Sequence, residues 1–116
     1  MSVIYQYPKC STCKKALKWL ESKDIALDIK DITRQTPSEA ELIEIMNKSG
    51  LETKKFFNTS GKIYKERNLK EVVSSLSVEE AAKMLAAEGM LIKRPLLVKN
   101  DQVIVGFKEA IYEELL

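Results

Sequence analysis

The hydrophobic period of the chain changes twice between residues 3 and 32, which predicts a strand, a helix and a second strand. Val3-Ile4-Tyr5 is a short β-rich run that stops at Tyr7-Pro8. Residues 25–32 alternate between hydrophobic and polar, with Ile25, Leu27 and Ile29 on one side, as in a half-buried strand. A β-α-β unit of this length predicts parallel strands. Between the two runs, residues 11–23 carry the i, i+3, i+4, i+7 pattern of a helix: Cys13, Ala16, Leu17 and Leu20.

The middle of the chain carries helix signals. Thr36 is predicted to cap a helix that has Pro37 at its first position and Glu39 three residues after the cap. That helix is expected to run to about Lys48 and to stop at Gly50.

Two more helices are predicted before the chain returns to strands. Asn68 is expected to cap a short helix over residues 69–74. Ser77 and Glu80 form a capping box, and Gly89 is expected to close the helix that they begin. Residues 37–89 therefore form a predicted helical insert.

The last part of the chain predicts a hairpin and a helix. Residues 96–98 and 103–105 are β-rich runs joined by a four-residue connection, residues 99–102. The final helix is expected to bury one face, formed by Phe107, Ala110, Ile111 and Leu115.

The order of these elements is β-α-β, a helical insertion, then β-β-α, with no repeat or linker. It predicts an α/β fold of the thioredoxin-like type, with a mixed four-stranded sheet and its reactive site at the first strand-to-helix turn. Residues 1–116 are expected to be a single domain with the helical insert at about 37–89.

Composition narrows the functional classes. The net charge of +2 is too small to predict direct binding of nucleic acid. No apolar stretch approaches the ~18 residues of a membrane span, and the N-terminus lacks the pattern of a signal peptide. A cytoplasmic protein without membrane contact is therefore expected.

The chain has two cysteines and no histidine. Without histidine there is no imidazole base or metal ligand, and two thiols are too few for a closed tetrahedral zinc site. No metal and no bound cofactor are expected. A Cys-x-x-Cys motif in a cytosolic chain favours redox chemistry.

Cys10 directly precedes the first predicted helix, where unpaired amides and the helix dipole favour an anion. The backbone amides of Ser11, Thr12 and Cys13 are expected to face the sulfur or a bound oxyanion, and Lys9 and Lys14 add positive charge. Cys10 is therefore the candidate nucleophile.

Cys13 has two interpretations, because it lies one helical turn from Cys10 and also on the hydrophobic face. It is either a thiol that attacks a mixed disulfide or sulfenic acid at Cys10, or a buried core residue.

The Arg94-Pro95 pair also has two interpretations. A cis bond would direct Arg94 towards the cysteine as a thiolate or oxyanion ligand, or Arg94 is a solvated side chain beside a structural proline.

Four segments together resemble the arsenate reductase (glutaredoxin-type) and Spx superfamily: Tyr7-Pro8-Lys9-Cys10-Ser11-Thr12-Cys13-Lys14-Lys15-Ala16, Phe57-Asn58-Thr59-Ser60-Gly61, Lys93-Arg94-Pro95-Leu96 and Val105-Gly106-Phe107. The resemblance implies a thioredoxin-like domain with a helical insert. It implies that Cys10 attacks arsenate, that glutaredoxin with glutathione restores it, and that Arg94 beside cis-Pro95 binds the oxyanion.

The sequence departs from the reductases at three places. Two further arginines of their site would fall near residues 59–60 and 106–107, where this chain has none; Lys62 and Lys108 are nearby cations that lack the bidentate fork. A second cysteine, here Cys13, is more typical of Spx-type members. In those regulators the disulfide acts as a sensor, and the protein binds the C-terminal domain of the RNA polymerase α subunit.

Three functions follow as hypotheses. The first is a thiol-dependent oxidoreductase that acts on a small oxyanion or thiol compound, with glutathione and glutaredoxin as reductant. The second is an Spx-type regulator that binds the RNA polymerase α subunit and is switched by a Cys10–Cys13 disulfide. The third is a redox-inert domain that retains the fold.

Overall fold

The computed structural model describes residues 2–116, so only the first residue of the predicted domain lies outside it. Its centre is one mixed four-stranded sheet in the order β2-β1-β3-β4. β1 runs parallel to β2 and antiparallel to β3, and β3 pairs antiparallel with β4. The predicted mixed α/β sheet is confirmed. The strands are β1 (Ser2–Gln6), β2 (Leu27–Asp31), β3 (Leu96–Lys99) and β4 (Gln102–Val105).

Five α-helices accompany the sheet in the described chain, and four short 3-10 turns join them. None of the helices within residues 2–116 has the length and apolar character needed to cross a membrane. The helices are α1 (Ser11–Ser22), α2 (Glu39–Ser49), α3 (Lys62–Glu66), α4 (Val78–Ala87) and α5 (Glu109–Leu115).

The sheet separates two hydrophobic cores, because successive side chains of a strand point to opposite faces. Ile4 of β1 belongs to the core under α1 and α5, whereas its neighbour Tyr5 belongs to the core under α2 and α4. Leu97 and Leu96 divide in the same way. Each fully buried side chain of this size contributes about 1.5–3 kcal/mol, so both faces hold the sheet in place.

The predicted face of α1 is confirmed. Cys13, Ala16 and Leu20 are fully buried, and Leu17 is partly buried against the same core. The predicted alternation of β2 is only partly correct. This strand is shorter than residues 25–32, and Ile29 is 51% exposed, because β2 lies at the edge of the sheet.

The predicted cap of α2 is wrong by two residues. Ser38, not Thr36, is the N-cap: its hydroxyl accepts from the amide of Glu41, whose carboxylate accepts from the Ser38 amide. Thr36 instead donates its hydroxyl to the carbonyl of Ile32. The predicted stop is confirmed, since Gly50 caps the helix with φ of 67°.

The later helices are confirmed in part. The capping box of Ser77 and Glu80 begins α4 as predicted. The helix ends at Ala87, and Gly89 opens a 3-10 turn instead of closing the helix. The predicted helix over residues 69–74 is two 3-10 turns. Asn68, which precedes them, is left-handed and makes no capping hydrogen bond with its side chain.

The C-terminal hairpin and helix correct two further predictions. Lys99 pairs with Gln102, so the connection is the two residues Asn100 and Asp101, not four. On α5, Ile111 and Leu115 are 38% and 42% exposed, whereas Tyr112 is fully buried. Tyr112 takes the inner face because its ring packs edge-on against two aromatic side chains, Trp19 and Phe107.

Candidate redox site

Cys10 is the N-cap of α1, as the sequence predicts. A turn in which the Cys10 amide donates to the Tyr7 carbonyl (3.0 Å) connects the end of β1 to the helix. The Cys10 side chain then accepts a hydrogen bond from the Cys13 amide, with 3.2 Å between nitrogen and sulfur. The sulfur therefore occupies the position where serine or aspartate oxygens usually cap helices, in the field of the helix dipole.

A cavity of about 360 Å³ opens beside Cys10, which is itself half-buried. Lys9, Ser11, Thr12 and Arg94, all predicted site residues, line this cavity together with the cysteine. In residues 2–116 the amides of Ser11 and Thr12 make no hydrogen bond to the sulfur, so they remain available to a bound anion. Lys14 is exposed on α1 and does not line the cavity.

Cys13 lies under the site and is fully buried. Burial, and after it the neighbouring Cys10 thiol, raise the pKa of Cys13 to about 12. Cys13 is therefore a neutral thiol at physiological pH. Both cysteines are free thiols in the structure.

Arg94 is held by the backbone and by an aromatic ring. The Arg94–Pro95 peptide bond is cis, as predicted, and Pro95 is buried next to β3. One terminal nitrogen, Nη1, donates to the carbonyls of Met90 (3.1 Å) and Ile92 (3.3 Å). The guanidinium carbon lies 5.3 Å from the centre of the Tyr7 ring. These contacts fix the guanidinium at the edge of the Cys10 cavity.

No carboxylate neutralises Arg94 in the described part of the chain, where the single salt bridge joins Glu44 to Lys48. Arg94 Nε is buried and has no hydrogen-bond partner. A buried donor left unpaired costs about 1–3 kcal/mol, and more when it is charged. Nη1 already donates to two carbonyls, so an anion in the cavity meets Nη2 first, and a bidentate contact through Nη2 and Nε requires the side chain to turn towards the cavity.

Sequence reasoning missed four residues of the cavity wall: Tyr7, Asn58, Ser60 and Lys93. Tyr7 belongs to the turn before Cys10, whereas Asn58, Ser60 and Lys93 reach the site because two distant segments pair. The Asn58 amide donates to Leu91 and the Lys93 amide donates to Phe56, at 2.7 and 2.8 Å. Asn58 and Ser60 belong to one of the four segments that carry the family resemblance, and this resemblance was the signal that could have identified them. Among the described residues, no group of three potential ligands is arranged for a metal ion.

The model of the ArsC family matches residues 5–115. The chain belongs to the ArsC family. The suspected family resemblance is thereby confirmed, and the fold is the thioredoxin-like fold of that family.

Three proteins that are similar to this chain have different descriptions. The uncharacterized protein YusI of Bacillus subtilis is 52% identical over 110 residues, 95% of this chain and 93% of YusI. The global transcriptional regulator Spx of Streptococcus mutans is 27% identical over 109 residues, 94% of this chain and 78% of Spx. The crystal structure of "a possible arsenate reductase" from Streptococcus mutans is 46% identical, with a TM-score of 0.91 over 99% of this chain and 97% of that one.

Lys62 and Lys108, the lysines nearest to the two positions where the family resemblance implies further arginines, have different locations. Lys62, the first helical residue of α3, does not line the Cys10 cavity. Lys108, the N-cap of α5, lines a neighbouring cavity that also borders Arg94. Arg94 is therefore the one arginine on the wall of the Cys10 cavity in residues 2–116.

Proposed function

We propose that this ArsC-family protein is a thiol-dependent oxidoreductase whose nucleophile is the Cys10 thiolate. One observation carries the proposal: the Cys10 sulfur accepts an amide hydrogen bond at the start of α1, in a cavity bordered by Lys9, Lys93 and Arg94. In residues 2–116 this lining has no acidic member. Positive charge and helix amides stabilise a thiolate, and they also attract an anionic substrate to it.

Arg94, with the amides of Ser11 and Thr12, binds the anion. An oxyanion such as arsenate, received by these groups, lies next to the sulfur. Cys10 forms the S–As bond while one oxygen leaves arsenic as water. Glutathione then attacks the Cys10 sulfur, the electron pair of the S–As bond remains on arsenic, and arsenite leaves. Glutaredoxin reduces the resulting mixed disulfide at Cys10, in agreement with the cytoplasmic setting expected from the sequence.

Cys13 supplies a second route for releasing Cys10. Attack of the Cys13 thiol on a mixed disulfide at Cys10 forms a Cys10–Cys13 disulfide and frees the other sulfur. Its burial and its pKa of about 12 make this route slow at neutral pH, because the attacking species is the thiolate. An external thiol is therefore the faster reductant.

The test is a steady-state assay with arsenate, glutathione and glutaredoxin. We expect turnover by the wild-type protein and none above background for Cys10→Ser. Equal rates for the two proteins would refute the role of Cys10. If neither turns over arsenate, but the wild-type protein alone reduces a glutathione mixed disulfide, the substrate is a thiol compound.

A second candidate function, that of a redox-switched regulator, is supported by the presence of Cys13 and by the similarity of this chain to Spx. The cysteine pair, the two missing arginines and the similarity to the Spx regulator over 94% of this chain favour a redox-switched regulator that binds the RNA polymerase α subunit. Pull-down with the C-terminal domain of that subunit, using reduced and oxidised protein, tests this function. Binding that changes with oxidation in the wild type but not in Cys13→Ala supports it, and no binding in either state excludes it.

A further inference from the structure

Three neighbouring cavities share Lys93 in their linings, and together they offer much more space than the Cys10 cavity alone. One is the Cys10 cavity. The second, of about 380 Å³, shares Thr12, Lys93 and Arg94 with it and extends along Phe107 to Lys108. The third, of about 350 Å³, extends from Lys93 past Phe57 to Lys54 and Lys55. We call these three cavities the basic groove.

The basic groove is far more positive than the rest of the molecule. The whole chain is almost balanced, with 19 basic and 17 acidic residues. Among the described residues of the groove only Glu52 is acidic, and none of its basic residues is in the salt bridge of the structure. Six basic residues line it: Lys9, Lys54, Lys55, Lys93, Arg94 and Lys108.

The size and the lining of the groove point to a peptide. An oxyanion with one central atom fills a small part of one cavity, whereas each cavity by itself lies in the range that holds a drug-sized molecule. The cavity that ends at Lys108 has an apolar wall formed by Ile104, Val105, Phe107 and Ile111. Three of these four residues are aliphatic, which suits the side chains of a peptide. Single-stranded nucleic acid is held mainly by stacking on aromatic rings, and the rings of the groove already have partners within the protein: Phe57 is buried, Phe107 packs edge-on against Tyr112, and the Arg94 guanidinium lies over Tyr7.

We propose that the basic groove binds an acidic peptide segment of a partner protein and presents a disulfide of that segment to Cys10. This inference rests on the proposed function of Cys10. The Cys10 thiolate attacks one sulfur of the partner's disulfide, a bond forms between them, and the other partner sulfur leaves as a thiolate. A proton from solvent neutralises that thiolate, and glutathione then attacks the Cys10 sulfur of the mixed disulfide, because the buried Cys13 thiol reacts slowly. The first partner sulfur then leaves as a thiolate, so that the partner's disulfide is reduced and Cys10 is left in a mixed disulfide with glutathione, which glutaredoxin or a second glutathione reduces.

The experiment uses short peptides with one cysteine activated as a mixed disulfide with thionitrobenzoate. Attack by Cys10 joins the peptide to the protein and releases coloured thionitrobenzoate, which is followed by stopped flow. The peptides carry glutamate, glutamine or lysine on both sides of the cysteine. At low salt we expect the acidic peptide to react about tenfold or more faster than the glutamine peptide, and the lysine peptide to react most slowly. The differences shrink at high salt, because exposed charges are screened.

Matched variants locate the preference. Changing Lys54, Lys55 and Lys108, all exposed, to glutamine is expected to bring the rate with the acidic peptide close to that with the glutamine peptide. The control changes three exposed lysines outside the groove, Lys65, Lys70 and Lys83, to glutamine, which alters the net charge equally. It is expected to retain the preference.

The outcomes separate this inference from the proposed function. If the wild type reacts with the glutamine peptide but does not prefer the acidic one, the inference is wrong and the proposed function stands. If Cys10→Ser reacts as fast as the wild type, the proposed function itself fails. The mixed disulfide of glutathione with thionitrobenzoate provides a further test. If it reacts as fast as the acidic peptide, the inference is wrong, because the Cys10 cavity alone would then account for the choice of substrate. The inference would also be wrong if a single-stranded oligonucleotide slowed the reaction of Cys10 with the activated acidic peptide more than a cysteine-free acidic peptide does.

Discussion

Cys10 and Cys13 are three residues apart, yet the fold gives them opposite properties. Cys10 borders a cavity, whereas Cys13 is fully buried and has its pKa raised to about 12. Alkylation by iodoacetamide at pH 7.5 is expected to add one label to the wild-type protein, at Cys10. In Cys10→Ser, labelling is expected to be at least about a hundredfold slower, because the thiolate is the reacting species. Mass spectrometry over time measures both rates, and two labels added at similar rates would contradict the assignment.

The same thiol makes stability depend on alkaline pH. The pKa of Cys13 is near 9 in the unfolded chain and about 12 in the fold, so the folded protein holds this proton more tightly. The stabilisation is complete below pH 9 and is lost as pH rises towards 12. Between pH 9 and 11 the wild type is expected to lose about 2 kcal/mol more than Cys13→Ala. Urea unfolding across this range provides the comparison, and parallel curves for the two proteins would refute the effect.

A substitution at Arg94 tests whether the guanidinium binds the anionic substrate. Arg94→Lys keeps the charge but removes the fork, so kcat/KM for the oxyanion is expected to fall about tenfold or more. The matched control is Arg67→Lys, at an exposed arginine that does not line the Cys10 cavity, and it is expected to behave like the wild type. Equal kinetics for Arg94→Lys and its control would show that the guanidinium does not bind substrate.

At the scale of the elements, caps are local and therefore readable from sequence. Ser77 with Glu80 was correctly predicted because one serine precedes one glutamate by three residues. Before α2, both Thr36–Glu39 and Ser38–Glu41 have that spacing, but the Thr36 hydroxyl is engaged by the carbonyl of Ile32, four residues earlier, and Ser38 is left as the cap. The inner face of α5 was missed because Tyr112 is buried by packing against Trp19 and Phe107, which lie outside that helix.

Ser77 provides a quantitative test of the α4 cap. Ser77→Ala removes the acceptor for the Glu80 amide and is expected to lower the free energy of unfolding by about 1 kcal/mol. Ser74→Ala is the control, because Ser74 is exposed and has no side-chain hydrogen bond within residues 2–116, so its effect is expected to stay within about 0.5 kcal/mol. Chemical denaturation measures both, and equal losses would mean that the cap does not contribute.

At the scale of the whole molecule, the site joins residues from three separate parts of the chain. Cys10, Ser11 and Thr12 were found because the strand-to-helix turn that positions them is local. Lys93, Asn58 and Ser60 reach the cavity through backbone pairing between residues 56–58 and 91–93, which no local pattern encodes. Arg94 was identified only through the topology and the family resemblance.

Whether the helical insert and the sheet form one domain is decided by cooperativity. Strands β1 and β3 contribute to both cores, since Ile4 and Leu97 face one and Tyr5 and Leu96 face the other. Unfolding either core therefore exposes the strands that support the second. The amides of Leu20 in α1 and Leu85 in α4, both on fully buried residues, are expected to exchange with the same free energy, equal to that of global unfolding. Hydrogen exchange followed by NMR in increasing urea measures both amides. A lower free energy and a shallower urea dependence for Leu85 would mean that the insert opens by itself, and the prediction of a single domain would then be wrong.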